Sequence, residues 1–168
     1  LYDFTTLRLY RLLRTITDFT TNMRIAILDF GTNTFNLLIA EKQARSFRVL
    51  YSGKQPVKLG RGGIQQNRIT PDAFERGFVA IQNHLETIEQ FGVEEIRAFA
   101  TSAIRNASNG SEFTDEVKKR FDIRVRVIPG DREAELIYKG VRQALPFDET
   151  VMILDIGGGS NEFIICDR

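Results

Sequence analysis

The stretch VMILDIGGGSNEFIICDR, residues 151–168, lies without a gap over IAILDFGTNTFNLLIAEK, residues 25–42, at a constant offset of 126 positions. Each copy reads as an apolar strand, an Asp, a turn of small residues with Gly, and a second apolar strand. Ile27/Ile153, Leu28/Leu154, Asp29/Asp155, Gly31/Gly157 and Ile39/Ile165 are identical, and Glu41-Lys42 answers Asp167-Arg168 in charge order. The chain therefore carries an internal repeat of a hairpin suited to phosphate. Two such hairpins facing each other across a cleft would offer two backbone cradles and two carboxylates to one anionic group.

One copy can be read physically. The strand around Ile25 to Leu28 is apolar at successive positions, as expected when both faces are covered, and it ends in a charge that cannot stay buried alone. Asp29 is therefore expected at a strand end, in a cleft. In the turns Gly31-Thr32-Asn33-Thr34 and Gly157-Gly158-Gly159-Ser160, glycine permits positive φ and close backbone approach, and the hydroxyls add donors. An isolated Gly-rich hairpin with a solvated Asp would be unremarked; two matching copies shift the balance toward a ligand site.

Composition limits the function classes. The chain of 168 residues has 42% hydrophobic and 27% charged residues, a net charge of +1 and one Cys. That profile is ordinary for a soluble globular protein, and Cys166, on an expected strand, reads as a buried, inert thiol. There is no apolar run of the roughly 18–20 residues needed to cross a membrane and no signal-peptide pattern, so a cytoplasmic location is expected. Residues 1–22 lack the later turns and alternation and read as a leader or non-native extension, with weak helical tendency around Leu7 to Leu13. Met23 looks like the natural start.

Between the hairpins, strands alternate with helices. Phe47 to Tyr51 and Gln55 to Leu59 read as strands, followed by the loop Gly60-Arg61-Gly62-Gly63. Thr70-Pro71 opens a helix as N-cap and first helical residue. Its apolar stripe is Phe74, Phe78, Ile81, Leu85 and Ile88, with His84 at the stripe's boundary. Ile96 to Ala100 is a strand, Phe113 to Arg120 a helix, Ile123 to Ile128 a strand and Arg132 to Leu145 a helix. The pattern is α/β, a mixed sheet flanked by helices.

Charge is unevenly placed. Residues 42–71 hold seven basic side chains and no acidic one. They could attract a polyanion, or form a solvated face balanced by Glu86, Glu89, Glu94 and Glu95. Nucleic acid is disfavoured, since interleaved aromatics and recognition motifs are missing. Two further segments could supply chemistry. In ATSAIRNA, residues 100–107, Thr101, Ser102 and Arg105 follow a strand end, where α/β ligand sites open, and the Arg105 fork could clamp a phosphate. In IPGDREAELIYKGV, residues 128–141, Glu133 falls in the first turn of a helix whose dipole favours its ionised form. It reads equally as a helix-start carboxylate or as a base.

DFGTNTFNLLIA, ATSAIRNA, PGDREAELIYKGV and LDIGGGSNEF, in that order and spacing, closely resemble the exopolyphosphatase and guanosine pentaphosphate phosphohydrolase family over residues 23–168. The resemblance implies an actin-like ATPase fold of two duplicated ribonuclease-H-like domains with the active site between them. The first would be residues 23–127; residues 128–168 would begin a second, truncated one. It places the catalytic glutamate on Glu133 rather than Glu135, Mg²⁺ ligands on Asp29 and Asp155, and phosphate-binding groups on Gly31, Thr32, Asn33, Thr34, Arg105, Gly157, Gly158, Gly159 and Ser160. The implied reaction is attack of water on the terminal phosphoryl of inorganic polyphosphate or guanosine pentaphosphate. The alternatives are an ATP-dependent small-molecule kinase of the same fold and a non-catalytic phosphate-binding module. Substrate choice and oligomeric state stay open, a homodimer of the full-length protein being one option.

Overall fold

The computed structural model describes residues 22–44, 46–145 and 147–167; the expected extension, apart from Asn22, lies outside them. Five strands form one mixed sheet in the order β3-β2-β1-β4-β5, with β1 Arg24–Phe30, β2 Thr34–Lys42, β3 Phe47–Pro56, β4 Glu95–Ala100 and β5 Val125–Val127. The β1–β2 and β2–β3 pairs are antiparallel, whereas β1–β4 and β4–β5 are parallel. The helices are α1 Pro71–Gln90, α2 Ser102–Asn106, α3 Gly110–Phe121 and α4 Gly130–Ala144, and a separate hairpin pairs β6 Val151–Ile156 with β7 Asn161–Cys166.

The apolar run of β1 is explained by burial on both faces. Ala26, Leu28 and Phe30 join the larger core beneath α1, with Phe78, Ile81 and Phe113. Ile25 and Ile27 point the other way, into a cluster with Leu38, Ala40, Phe99 and Leu136. The period of two in a strand thus divides one apolar segment between two cores. Helix α4 meets both halves of the molecule: Leu136 packs on the five-stranded sheet, while Ile137 and Val141 pack on Ile153 and Cys166 of the second hairpin. The opposite face of that hairpin exposes Met152, Leu154, Ile156, Phe163 and Ile165.

Helix α1 begins as its sequence dictates, with Thr70 Oγ1 accepting from the Ala73 N–H at 3.3 Å and Pro71 at the first helical position. Elsewhere the structure departs from local reading. The two strands expected over 47–51 and 55–59 are one strand ending at Pro56. The N–H groups of Val57, Lys58 and Leu59 leave the ladder and donate instead to the Asn33 and Thr32 carbonyls at 2.7–2.9 Å. Strand β5 is shorter than expected, and the segment after Thr101 forms the short helix α2. Among the described residues no helix is long and apolar enough to cross a membrane.

His84 is a core residue, 2% exposed, rather than a boundary one. Its Nε2 lies 3.0 Å from the Phe35 carbonyl, which calls for the Nε2–H tautomer. Burial lowers its pKa, partly opposed by that hydrogen bond. The unfolded chain therefore takes up the proton first: the stability His84 contributes is fully present above about pH 6.5 and is lost as pH falls through the lowered folded value. Thermal unfolding followed from pH 8 to pH 5 should show a steeper fall in Tm for the native chain than for His84→Gln; equal slopes would refute the assignment.

Candidate functional site

Both turns are closed by the same bond. The Gly31 N–H donates to the Thr34 carbonyl at 3.0 Å, and the Gly157 N–H to the Ser160 carbonyl at 2.9 Å. Registers match as well, Asp29 standing opposite Asn36 and Asp155 opposite Glu162. The second turn rests directly on the first. A Cβ on Gly158 would lie 2.3 Å from Asn33 Nδ2, and one on Gly159 would lie 2.5 Å from Thr32 Oγ1 and 3.0 Å from Ser102 Oγ. These glycines are needed for contact between the hairpins, not for left-handed backbone: the positive-φ glycines among the described residues are Gly62 and Gly92.

Between the turns opens a cleft of about 220 Å³. Its lining takes Gly31, Thr32, Asn33 and Thr34 from the first turn and Gly157, Gly158 and Ser160 from the second. Thr101, Ser102, Asn36, Glu133, Asp155 and Glu162 also line it. Gly159 is turned away, against Thr32 and Ser102.

Glu133 sits in the first turn of α4, is 2% exposed, and meets Arg105 of α2. Arg105 Nη1 donates to Glu133 Oε2 at 3.0 Å and to the Ile128 carbonyl at 2.9 Å. A guanidinium there offsets the cost of burying the carboxylate. Arg105 thus contacts the cleft through Glu133 and is not itself among the lining residues. Glu135 is on the surface, paired with Arg132 and Lys139, which hold its pKa below the usual carboxylate value.

Asp29 is fully buried and accepts a hydrogen bond from Asn36 Nδ2 at 3.1 Å. It shares the sheet face of Ile25 and Ile27, the one that α4 covers, and lies behind Asn36, which does line the cleft. Asn36 and Glu162 are the functional candidates that motif reading passed over. The repeat itself contains the signal, because the offset that pairs Asp29 with Asp155 also pairs Asn36 with Glu162.

Asp155 and Glu162 oppose each other directly across β6–β7, and both line the cleft. Among the described residues no three or more His, Cys, Asp or Glu side chains gather into a metal cage. Mg²⁺ does not need one, since it binds through one or two carboxylates, retained waters and substrate phosphates. The donor set therefore fits Mg²⁺ held at Asp155 and Glu162.

A sequence model of the Ppx/GppA phosphatase family matches residues 38–168. This chain belongs to that family. It is 42% identical to an exopolyphosphatase from Cytophaga hutchinsonii of known structure, with a TM-score of 0.82 over 86% of this chain and 47% of that one. The Aquifex aeolicus member of the Ppx/GppA family is 30% identical, with a TM-score of 0.72 and coverage of 86% and 47%. The ethanolamine utilization protein EutJ from Carboxydothermus hydrogenoformans, 13% identical with a TM-score of 0.53 over 99% of this chain and 58% of that one, shares the fold. The chain thus spans about half the length of its solved Ppx/GppA relatives, and its fold is that of the actin-like ATPases.

Two outcomes are expected from this Ppx/GppA site. Gly159→Ala overpacks the hairpin contact and should lower unfolding stability in urea by about 1–3 kcal/mol. Combining it with Thr32→Ala should recover part of the loss, and strict additivity would show that the two turns do not touch. Arg105→Ala breaks a buried ion pair at a cost of about 3 kcal/mol, the low end for such pairs because Arg105 is 22% exposed. Adding Glu133→Gln should restore most of it by the same measurement.

Proposed function

We propose that this chain forms one wall of a Mg²⁺-dependent phosphoanhydride hydrolase that releases the terminal phosphate of inorganic polyphosphate, with guanosine pentaphosphate as the second candidate substrate. The observation that carries this reading is a buried carboxylate, Glu133, held by Arg105 in the wall of a cleft lined by two matching small-residue turns. The likeness to an exopolyphosphatase supports it.

In this reading the turn N–H groups and the hydroxyls of Thr32, Thr34 and Ser160 hold the oxygens of the terminal phosphoryl group. Glu133 orients a water and takes its proton as the water oxygen bonds to phosphorus, while the bond to the bridging oxygen breaks and leaves a chain one unit shorter. Arg105 keeps the Glu133 carboxylate aimed at that water. A bound Mg²⁺ at Asp155 and Glu162 would neutralise charge on the phosphoryl oxygens and the like-charge pair that holds it. Positioning and charge neutralisation are the main requirements of phosphoryl transfer; in this reading the two turns supply the first and a bound Mg²⁺ would supply the second.

The test is phosphate release from polyphosphate and guanosine pentaphosphate, side by side and without an acceptor, by the longest product of this reading frame. Glu133→Gln should lower kcat about 10²–10⁴-fold, the usual share of a general base. Turnover close to that of the native protein would remove Glu133 from the mechanism, and strict dependence on an acceptor would replace hydrolysis by a kinase reaction.

A further inference from the structure

His84 is the single histidine of the chain and takes no part in the proposed reaction. It lies on the face of α1 that gives Ala80, Ile81 and Ile88 to the larger core, and it is 2% exposed. Burying a polar ring there costs free energy that a leucine would not, unless its donor finds an acceptor. The acceptor is the Phe35 carbonyl, 3.0 Å from Nε2 and 49 positions earlier in the chain.

Phe35 stands where the first turn enters β2. It pairs with Phe30 across β1–β2, and the two rings stack with centroids 4.4 Å apart and planes at 28°. The turn Gly31 to Thr34 is therefore bracketed by two fully buried phenylalanines. Both carbonyls of the bracket are tied to other elements: that of Phe30 accepts from the Thr101 N–H at 3.4 Å, and that of Phe35 from His84. Side chains alternate along a strand, so Thr34 and Asn36, on either side of Phe35, point to the opposite face. Both line the cleft. Helix α1 comes close to this strand at Gly77, where a Cβ would lie 2.9 Å from the Phe113 ring and 3.5 Å from that of Phe35. His84 follows about two turns later on the same helix face. The second hairpin has no such bracket, since Ile156 and Asn161, at the corresponding positions, are exposed.

We propose that His84 is a positioning residue of the candidate site. Its Nε2–H holds the Phe35 carbonyl, and through that residue it sets the first turn and the Thr34 and Asn36 side chains in the cleft. Its bearing on anion binding rests on the phosphohydrolase reading of the cleft, whereas its hold on the turn does not. Four amides report on the turn directly: the Gly31 N–H donates to the Thr34 carbonyl, the Val57 and Lys58 N–H groups to that of Asn33, and the Leu59 N–H to that of Thr32.

Residue-resolved amide hydrogen exchange and calorimetric titration with orthophosphate in Mg²⁺, both at pH 8 where the imidazole is neutral, test this. His84→Leu keeps the apolar bulk and removes the donor. It should speed exchange of the four amides about tenfold relative to the Gly157 N–H of the second turn, and weaken orthophosphate binding by up to about tenfold, the value of one buried hydrogen bond. His84→Met, a second donor-free variant, should behave in the same way. His84→Gln, whose amide carries an N–H to nearly the same place, should bring both readouts back toward native values. Ile81→Val removes a methyl from the same core and no donor, and should leave the exchange ratio and the affinity unchanged. Four results would overturn the assignment: native exchange in both donor-free variants, faster exchange with native affinity, an equal change in Ile81→Val, or no rescue by His84→Gln. Failure of the native chain to bind orthophosphate would instead remove the reading of the cleft, and the exchange comparison would still decide whether His84 holds the turn.

Discussion

The approach of one glycine turn onto another sets the geometry on which the site depends. Gly159 rests on the buried Thr32 and Ser102 with no space for a Cβ, Gly158 packs on the Asn33 side chain, and this contact brings the second hairpin's carboxylates to the same cleft as Glu133. Beneath it, the Thr32 and Asn33 carbonyls are occupied by N–H groups of residues 57–59. The first turn is thus braced from behind. A cradle fixed in this way has little reorganisation left to pay when an anion arrives, which is what electrostatic preorganisation requires.

Charge is divided with similar economy. Arg105 bonds both the Glu133 carboxylate and the Ile128 carbonyl, so the guanidinium supports a buried acid and anchors the strand end that precedes α4. Asp29, buried behind Asn36, is one layer back from the cleft. The groups facing the ligand space are consequently not the same as the set of charged residues in the motifs. Some motif residues touch the cleft, and others hold those that do.

Much of this fold is legible in the sequence alone. The repeat at residues 25–42 and 151–168 foretold two hairpins of matching register, and the Thr70-Pro71 start and apolar stripe of α1 stand as read. Local pattern misled where tertiary partners took over. Residues 57–59 have strand-like sequence, but their N–H groups pair with a turn instead of a ladder. His84 looked like a boundary residue because a polar ring flanks an apolar stripe, and the Phe35 carbonyl that receives it comes from a strand 49 positions away.

By itself the sequence determined the α/β class and the duplicated hairpin, because periodicity and turn chemistry are local properties of the chain. Which side chains share one cavity was decided only in three dimensions. That Arg105 faces Glu133, that Asn36 screens Asp29, and that Glu162 opposes Asp155 all follow from packing between segments distant in sequence. Strand pairing and turn-on-turn contact set those distances, and no local pattern encodes them.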